Sequence, residues 1–240
     1  MVIGEKIENK KIALEYKELL KISYQRLTDS DKKIIRQALN IAVKAHSNQR
    51  RKSGEAYIFH PIEVAKIVAD EIGLDATSIA AALLHDVLED TKYDIKKLKE
   101  LFGKTVTKIV VGLTKISNLK KDKYDSLQAE NFRKMLLTLN DDIRVIIIKI
   151  ADRLHNMSTI NHLPRIKQHR IAVETRDVYA PLSHRLGMAK VKWLLDDLVL
   201  KTLNPDIYKE ISLKLKSSNK EREKYIKSIT SACLLYTSDA

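Results

Sequence analysis

The sequence contains little cysteine, glycine or proline, and it has no long apolar run. Its one cysteine, Cys233, excludes an intramolecular disulfide and favours a reducing compartment. Six glycines and four prolines in 240 residues are few, which predicts helices joined by short turns. No apolar stretch approaches the roughly 20 residues that span a bilayer, and no signal-peptide core follows Met1. We therefore expect a cytoplasmic protein without a membrane partner.

The chain is strongly basic, with a formal net charge of +13 from 44 Lys and Arg against 31 Asp and Glu. Most of this excess fits a solvated, lysine-rich surface. Part of it also fits a cleft for a polyanionic nucleotide, because positive clefts concentrate anionic ligands. The hydrophobic content of 44% suffices for a sizeable core in one large domain or two small ones.

Apolar residues recur at helical spacing along most of the chain, which predicts an all-α fold. Residues 1–27 read as an amphipathic lead-in, and the capping residues Thr28 and Asp31 mark the start of the next helix. Further helices are expected over 62–72, 76–88, 95–102, 105–113, 129–138, 142–160, 170–186, 188–200 and 207–229, with loops at 48–55 and 118–126.

A cluster of polar side chains interrupts an apolar segment at His85, Asp86, Glu89 and Asp90. At about 100° per residue along a helix, these side chains share one face. Burying them without partners is costly, so the cluster predicts a metal, a hydrogen-bond network or a substrate. For an arbitrary His-Asp pair, a buried hydrogen bond is the commoner explanation, and further ligands are needed to favour a metal.

Two other residues are suited to complete a metal site around His85 and Asp86. His60 precedes Pro61, a residue that fits the first turn of a helix, and Asp152 interrupts another apolar run. Two imidazoles and two carboxylates suit manganese, iron, zinc or magnesium, and octahedral geometry favours manganese. These four side chains therefore predict a site for a divalent cation, with manganese favoured among these metals.

Five segments follow one another in a familiar order: RKSGEAYIFHP at 51–61, LHDVLEDT at 84–91, QAENFRKML at 128–136, KIADRLHNM at 149–157 and YAPLSHRLGM at 179–188. The chain thereby resembles the hydrolase domain of the RelA/SpoT homologues. These are HD-type metal phosphohydrolases that remove pyrophosphate from guanosine tetra- and pentaphosphate. The fifth segment is similar to the helices that join hydrolase to synthetase in long members of the family.

The resemblance implies an HD-domain metal phosphohydrolase bundle followed by joining helices. It implies that Glu89 and Asp90 orient the attacking water, act as general base or hold a second ion, the alternative being an exposed acidic helix end. Nucleotide contacts are implied for Arg51, Lys52, Ser53, Asn156 and Thr159. A solvated loop is the alternative for the first three, and a structural hydroxyl for Thr159.

Several other residues are expected to serve packing or the surface rather than the chemistry. Trp193 and Tyr179 are expected to be helix-packing anchors. The histidines expected to pack or to lie at the surface are His46, His155, His162, His169 and His184.

The resemblance therefore predicts Mn²⁺-dependent hydrolysis of the 3′-pyrophosphate, giving GDP from guanosine tetraphosphate and GTP from the pentaphosphate. A synthetase domain in the same chain and the ribosome are the further partners expected of the complete protein. Two alternatives stay open: an HD phosphohydrolase for another nucleotide, and a non-catalytic domain that restrains an attached synthetase.

The domain organisation implied by the resemblance is a hydrolase domain over 1–165 and joining helices over 166–232. Residues 233–240 read CLLYTSDA, which the transposon-end adapter of sequencing libraries can encode. We expect that this tail is a translated artefact and that the natural chain continues into a synthetase domain.

Overall fold

A computed structural model describes residues 2–23, 27–91, 93–119, 142–216, 226 and 230, without the side chains of 2–7, 90 and 117–119. Within these residues the regular structure is helical, and Arg50 and Ala56 form an isolated antiparallel bridge. The predicted all-α fold class is confirmed. The expected helix at 129–138, most of the loop at 118–126, most of 217–229 and the tail at 233–240 lie outside the described residues.

The helices follow one another with short connections, as the scarcity of glycine and proline predicts. They are α1 (Val2–Ser23), α2 (Asp29–Ala45), α3 (Phe59–Lys66), α4 (Ala76–Leu83), α5 (Val87–Asp90), α6 (Ile95–Leu119), α7 (Ile143–Ser158), α8 (Arg165–Glu174), α9 (Ala180–Arg185), α10 (Ala189–Leu203) and α11 (205–216). A π-helical turn extends α3 over Ile67–Ile72, another joins α8 to α9 over Thr175–Tyr179, and a 3-10 turn covers Ile160–His162.

Local side-chain bonds determine where several helices begin. Thr28 caps α2: its hydroxyl accepts from the backbone N–H of Asp31, whose carboxylate accepts from the backbone N–H of Thr28. This reciprocal arrangement satisfies two N–H groups near the start of the helix. Asp75 and Asp142 cap α4 and α7 by accepting from the backbone N–H groups of Ser78 and Arg144.

Helix α4 lies at the centre of the core. Seven of its eight residues are buried, including the polar Ser78, because α2, α3 and α6 pack around it. Helix α7 packs against α3 and α6 in turn. Since α3, the end of α4 and α7 converge, side chains that are far apart in sequence can meet at one buried point.

The segment expected to be one helix over 76–88 is broken. Helix α4 ends at Leu83, residues 84–86 form a turn, and α5 begins at Val87. Tight backbone bonds from Leu84 to Ala81 and from Val87 to Leu84 make this turn. The single-helix prediction was wrong because the apolar pattern continues unchanged through the turn and therefore gives no sign of it.

Two glycines in α6 have structural roles, one at a kink in the helix and one at its contact with α7. Gly103 has φ +74°, a left-handed conformation that produces a kink between two helical halves. The helix that the sequence predicts over 105–113 is confirmed. At Gly112 a Cβ atom would lie 2.8 Å from Cγ2 of Val145. The close contact between α6 and α7 therefore requires glycine at this position.

The expected domain boundary near residue 165 stays a prediction. Val191, Leu195 and Val199 of α10 are buried and belong to the same hydrophobic cluster as Ile146 and Ile150 of α7. The hydrophobic core thus continues from the predicted hydrolase domain into the predicted joining helices.

Candidate metal centre

Four side chains from three places in the fold meet in the interior. His60 lies on α3, His85 and Asp86 lie in the turn after α4, and Asp152 lies on α7; all four are buried. Nε2 of His60 is 3.2 Å from Oδ1 of Asp152 and 3.8 Å from Oδ2 of Asp86. Nε2 of His85 is 2.9 Å from Oδ2 of Asp86 and 4.0 Å from Oδ1 of Asp152. We call these four residues the donor cluster.

The break in the helix gives His85 a defined orientation. Its Nδ1 lies 2.8 Å from the backbone carbonyl of Ala82, which can only accept, so Nδ1 carries the hydrogen. In the neutral ring Nε2 then holds the lone pair, and this buried atom faces Oδ2 of Asp86. Because Nε2 lies 2.9 Å from Oδ2 of Asp86, a positive charge must separate the two atoms, either a proton in the metal-free protein or a metal ion in its place.

Both carboxylates of the donor cluster are held ionised. Burial alone would raise the pKa of Asp86, but His85 beside it lowers that pKa below its usual range. Burial would likewise raise the pKa of Asp152, but the Lys149 ammonium, 2.8 Å from Oδ2, and His60 hold it well below its usual value. Without a metal, burial would lower the pKa of His85, but Asp86 outweighs burial and raises it to about 9.

The cluster fits a divalent cation on three grounds. Ligand atoms of His60, His85 and Asp152 all lie within 4.8 Å of one another. The two carboxylates are ionised, and mixed imidazole and carboxylate donors suit first-row divalent metals. Nε2 of His85 points to the same place, 2.9 Å from Oδ2 of Asp86. Asp86 also accepts a hydrogen bond of 2.6 Å from the hydroxyl of Tyr57, which orients it.

A pocket of about 470 Å³ opens beside the donor cluster and includes Asp152 in its wall. Each of the expected nucleotide contacts lines this pocket: Arg51, Lys52, Ser53, Asn156 and Thr159. The rest of the wall is formed by Glu55, Lys149, Asp152, Arg153, His162, Leu163, Arg170, Ile171 and Glu174. Because the lining has five Lys or Arg side chains and three carboxylates, it favours an anionic ligand.

Three of the expected nucleotide contacts also have partners within the protein. Arg51 donates from Nη2 to Oδ1 of Asn156 at 2.7 Å, and Asn156 donates from Nδ2 to Oδ1 of Asp152 at 2.6 Å. Thr159 donates from its hydroxyl to the carbonyl of His155 at the end of α7, which is the structural alternative expected for it. Arg51 and Asn156 thus lie between the pocket and the donor cluster.

The acidic pair after the cluster is only partly described. Glu89 is half-buried on α5, one helical turn beyond His85. The side chain of Asp90 lies outside the described residues. The roles expected for these two carboxylates stay predictions.

Three residues at the site were not expected from the sequence. His155, expected to serve packing or the surface, lies with Nδ1 2.7 Å from Nδ1 of His60 and 3.1 Å from Nη1 of Arg51. Tyr57 bonds Asp86, and Lys149 pairs with Asp152. Only Lys149 left a usable signal, because it interrupts an apolar run three residues before Asp152.

The expectations for the two aromatic residues have different outcomes. Tyr179 is buried, and the Arg153 guanidinium lies 4.3 Å from its ring centroid while also pairing with Glu174. Tyr179 is therefore a packing anchor, as expected. Trp193 is 68% exposed within the described part of the chain, so the same expectation was wrong for it. Its helix α10 uses Val191 and Leu195 for the core instead.

Comparison with known proteins identifies the family. A family model described as an HD domain matches residues 38–189. The chain belongs to the HD domain family. Every member of the donor cluster lies in the matched part of this HD domain. No described helix has both the length and the apolar character needed to span a membrane.

Relatives of this HD domain include proteins of the RelA/SpoT type, as the sequence motifs indicated. The GTP pyrophosphokinase of Myxococcus xanthus is 47% identical over 201 residues, which are 82% of this chain and 26% of that protein. The bifunctional (p)ppGpp synthase/hydrolase SpoT of Escherichia coli K12 is 46% identical over 206 residues, 85% of this chain and 29% of that protein. The chain thus spans between a quarter and a third of the length of these relatives.

A solved structure shares the fold of this HD domain. It is described as a metazoan ortholog of SpoT that hydrolyzes ppGpp and plays a role in starvation responses, and it superposes with a TM-score of 0.57 at 26% identity. The match covers 71% of this chain and 96% of that one. The helical HD architecture is therefore shared well beyond close sequence similarity.

Proposed function

We propose that this chain hydrolyses the 3′-pyrophosphate of guanosine tetra- and pentaphosphate in a Mn²⁺-dependent reaction, giving GDP or GTP and pyrophosphate. The observation that carries the proposal is the donor cluster beside a basic pocket. Relatives named as (p)ppGpp hydrolases support the choice of nucleotide. His60, His85, Asp86 and Asp152 would hold the metal.

The proposed chemistry assigns separate tasks to the cluster, the acidic pair and the pocket. A bound divalent cation supplies hydroxide at neutral pH and polarises a phosphoryl oxygen. Arg51 and Lys52 bind and orient the phosphates, since a guanidinium fork and an ammonium both match phosphate oxygens. Glu89 or Asp90 accepts the proton of the attacking water. The water oxygen forms a bond to the phosphorus atom that is attached to the 3′-oxygen of the nucleoside. The bond between this phosphorus and the 3′-oxygen breaks, and the 3′-oxygen takes a proton.

The wider setting of the activity rests on the relatives and on the sequence motifs. A synthetase domain in the same protein fits the name of the bifunctional relative from Escherichia coli. Action in the cytoplasm fits the absence of a membrane-spanning helix among the described residues. Contact with the ribosome rests on the family resemblance alone.

The test is to incubate the purified chain with guanosine tetraphosphate, with and without Mn²⁺, and to identify the products by ion-exchange chromatography. We expect GDP and pyrophosphate only when the metal is present. An Asp152→Asn variant is the matched control, because it keeps the shape of the side chain and loses its charge. GDP release in excess chelator would contradict the metal dependence.

The same assay separates the two alternatives. A phosphohydrolase for another nucleotide would leave guanosine tetraphosphate intact and release phosphate or pyrophosphate from ATP, GTP or a deoxynucleotide. A non-catalytic domain would consume none of them. The complete donor cluster favours catalysis, because a domain that only restrains a neighbour does not require four converging metal donors.

A further inference from the structure

His155 lies between the nucleotide pocket and the donor cluster. Its Nδ1 is 3.1 Å from Nη1 of Arg51 and 2.7 Å from Nδ1 of His60. The His60 and His155 ring centroids are 4.9 Å apart, with 32° between the ring planes. One nitrogen of His155 therefore contacts both a pocket residue and a candidate metal ligand.

The chemistry of Arg51 determines which nitrogen carries each hydrogen. A guanidinium has donors and no acceptor, so Nδ1 of His155 must accept from Arg51 and is itself without hydrogen. The single lone pair of this nitrogen is then shared between Arg51 and the 2.7 Å contact with His60, in which the hydrogen is on Nδ1 of His60. A neutral imidazole carries one hydrogen, which leaves the lone pair of His60 on Nε2.

This assignment directs His60 toward the metal position. Nε2 of His60 faces Oδ1 of Asp152 at 3.2 Å and Oδ2 of Asp86 at 3.8 Å, inside the donor cluster. The opposite tautomer would place a hydrogen at Nε2 and block metal binding there. A hydrogen bond to the remote nitrogen of a ligating histidine commonly fixes its tautomer and ring orientation.

A second connection runs from the same guanidinium. Nη2 of Arg51 donates to Oδ1 of Asn156 at 2.7 Å, and Nδ2 of Asn156 donates to Oδ1 of Asp152 at 2.6 Å. The two terminal nitrogens of Arg51 thus lead to two members of the donor cluster, one through His155 and one through Asn156. Since a guanidinium has five N–H groups, others remain for a ligand in the pocket.

We propose that His155 is a positioning residue that holds His60 in its metal-binding tautomer and connects the metal site to Arg51 of the nucleotide pocket. The inference rests on the metal site of the proposed function. Because coupling between two ligands is reciprocal, any factor by which nucleotide bound at Arg51 raises Mn²⁺ affinity is also the factor by which Mn²⁺ raises nucleotide affinity.

The first test compares two variants of His155 by titration calorimetry with Mn²⁺ alone, without nucleotide. His155→Asn keeps an acceptor oxygen near the position of Nδ1, whereas His155→Leu removes the acceptor at similar size. We expect His155→Leu to weaken Mn²⁺ affinity by about 10–100-fold, the usual effect of losing a partner of a metal ligand. His155→Asn should restore most of the affinity. Equal affinity in His155→Leu and the unmodified chain would overturn the inference.

The second test observes the tautomer directly. In ¹⁵N-labelled, metal-free protein, long-range ¹H–¹⁵N NMR spectra distinguish a hydrogen on Nδ1 from one on Nε2. We expect His60 to carry it on Nδ1 in the unmodified chain and to lose this preference in His155→Leu. A hydrogen on Nε2 in the unmodified chain would overturn the inference. If the chain bound no Mn²⁺, the proposed function would fail, and this spectrum would still decide the role of His155.

The third test addresses Arg51, with the neighbouring Lys52 as matched control. Both side chains line the pocket, but Arg51 alone has the described contacts to His155 and Asn156. In nucleotide-free protein, we expect Arg51→Ala to weaken Mn²⁺ affinity by about 10-fold, at the low end of the range for outer partners of metal ligands, and Lys52→Ala to leave it unchanged. Equal Mn²⁺ affinities in the two variants would overturn the connection from pocket to metal.

Discussion

Nζ of Lys149 lies 2.8 Å from Oδ2 of Asp152, and both side chains are buried. Burial alone would lower the pKa of Lys149, but the Asp152 carboxylate raises it, so the ammonium stays charged. The donor cluster contributes two carboxylates, and Lys149 balances part of their charge in the metal-free protein. A metal and Lys149 thus both act on the same carboxylate.

Replacing Lys149 with methionine should destabilise the metal-free chain. We expect the free energy of unfolding to fall by about 3–5 kcal/mol, because the buried Asp152 charge loses its partner. Saturating Mn²⁺ should raise the free energy of unfolding of the variant above its value in chelator, since a ligand that binds only the folded state stabilises it. Urea titrations with chelator and with Mn²⁺ measure both effects.

The control for this variant is Lys214→Met. Lys214 pairs with Glu210 at 2.6 Å, but both side chains are exposed. Its loss should cost at most about 1 kcal/mol, as is usual for surface ion pairs. Equal losses in the two lysine variants would show that burial of the Lys149 pair has no energetic consequence.

Removing the charge of either carboxylate in the donor cluster should strongly weaken metal binding. An amide keeps the size of the side chain and lacks the negative charge that binds a hard cation. We expect Asp86→Asn and Asp152→Asn each to weaken Mn²⁺ affinity by more than about 100-fold in calorimetry, beyond the usual cost of losing an outer partner. Asp197→Asn, at an exposed position of α10, is the control and should bind Mn²⁺ as the unmodified chain does. Normal affinity in Asp86→Asn would remove that residue from the site.

The sequence predicted which residues of the cluster meet, but not the backbone that brings them together. His60, His85, Asp86 and Asp152 stand out because each interrupts or borders an apolar segment. The turn at 84–86 leaves no such sign, since Leu83, Leu84 and Val87 are all buried whether the helix continues or breaks. Hydrophobic periodicity reports burial, and burial is the same in both cases.

His155 illustrates a second limit of sequence interpretation. Its partners Arg51 and His60 are 104 and 95 residues away in the chain, so no local pattern relates them. A single histidine on a helix is usually a packing or surface residue, and only the packing of α3 against α7 makes this one different. Lys149 was accessible in principle, because a lysine three residues before an aspartate on one helix face indicates an ion pair.

Glu89 should affect turnover and leave metal binding intact. Losing a positioned acid-base group lowers kcat by about 10²–10⁴-fold, so we expect a loss in this range for Glu89→Gln and for Asp90→Asn. Mn²⁺ affinity should stay within about 3-fold, less than the loss expected for an outer partner of a metal ligand. Glu100→Gln, on the exposed face of α6, is the control. Full turnover with weakened Mn²⁺ binding would instead assign the acidic pair to the metal.

The contact between Gly112 and Val145 should connect packing to the metal site, because α7 carries both Val145 and Asp152. In Gly112→Ala the new Cβ would lie 2.8 Å from Cγ2 of Val145, so the Val145 side chain or the part of α7 that carries it must shift. We expect the free energy of unfolding to fall by about 1–3 kcal/mol, the usual cost of overpacking. Chemical denaturation measures the loss, and Mn²⁺ calorimetry should show weaker binding in the same variant.

Val145→Ala supplies the decisive comparison, because it removes the methyl groups that the new Cβ meets. In the double variant, the loss of stability should be smaller than the sum of the two single losses by about 0.5–3 kcal/mol, as for residues in direct contact. Mn²⁺ affinity should recover with it, since α7 can return to its position. Strictly additive losses, or stability regained without Mn²⁺ affinity, would mean that the packing of α6 against α7 does not position Asp152.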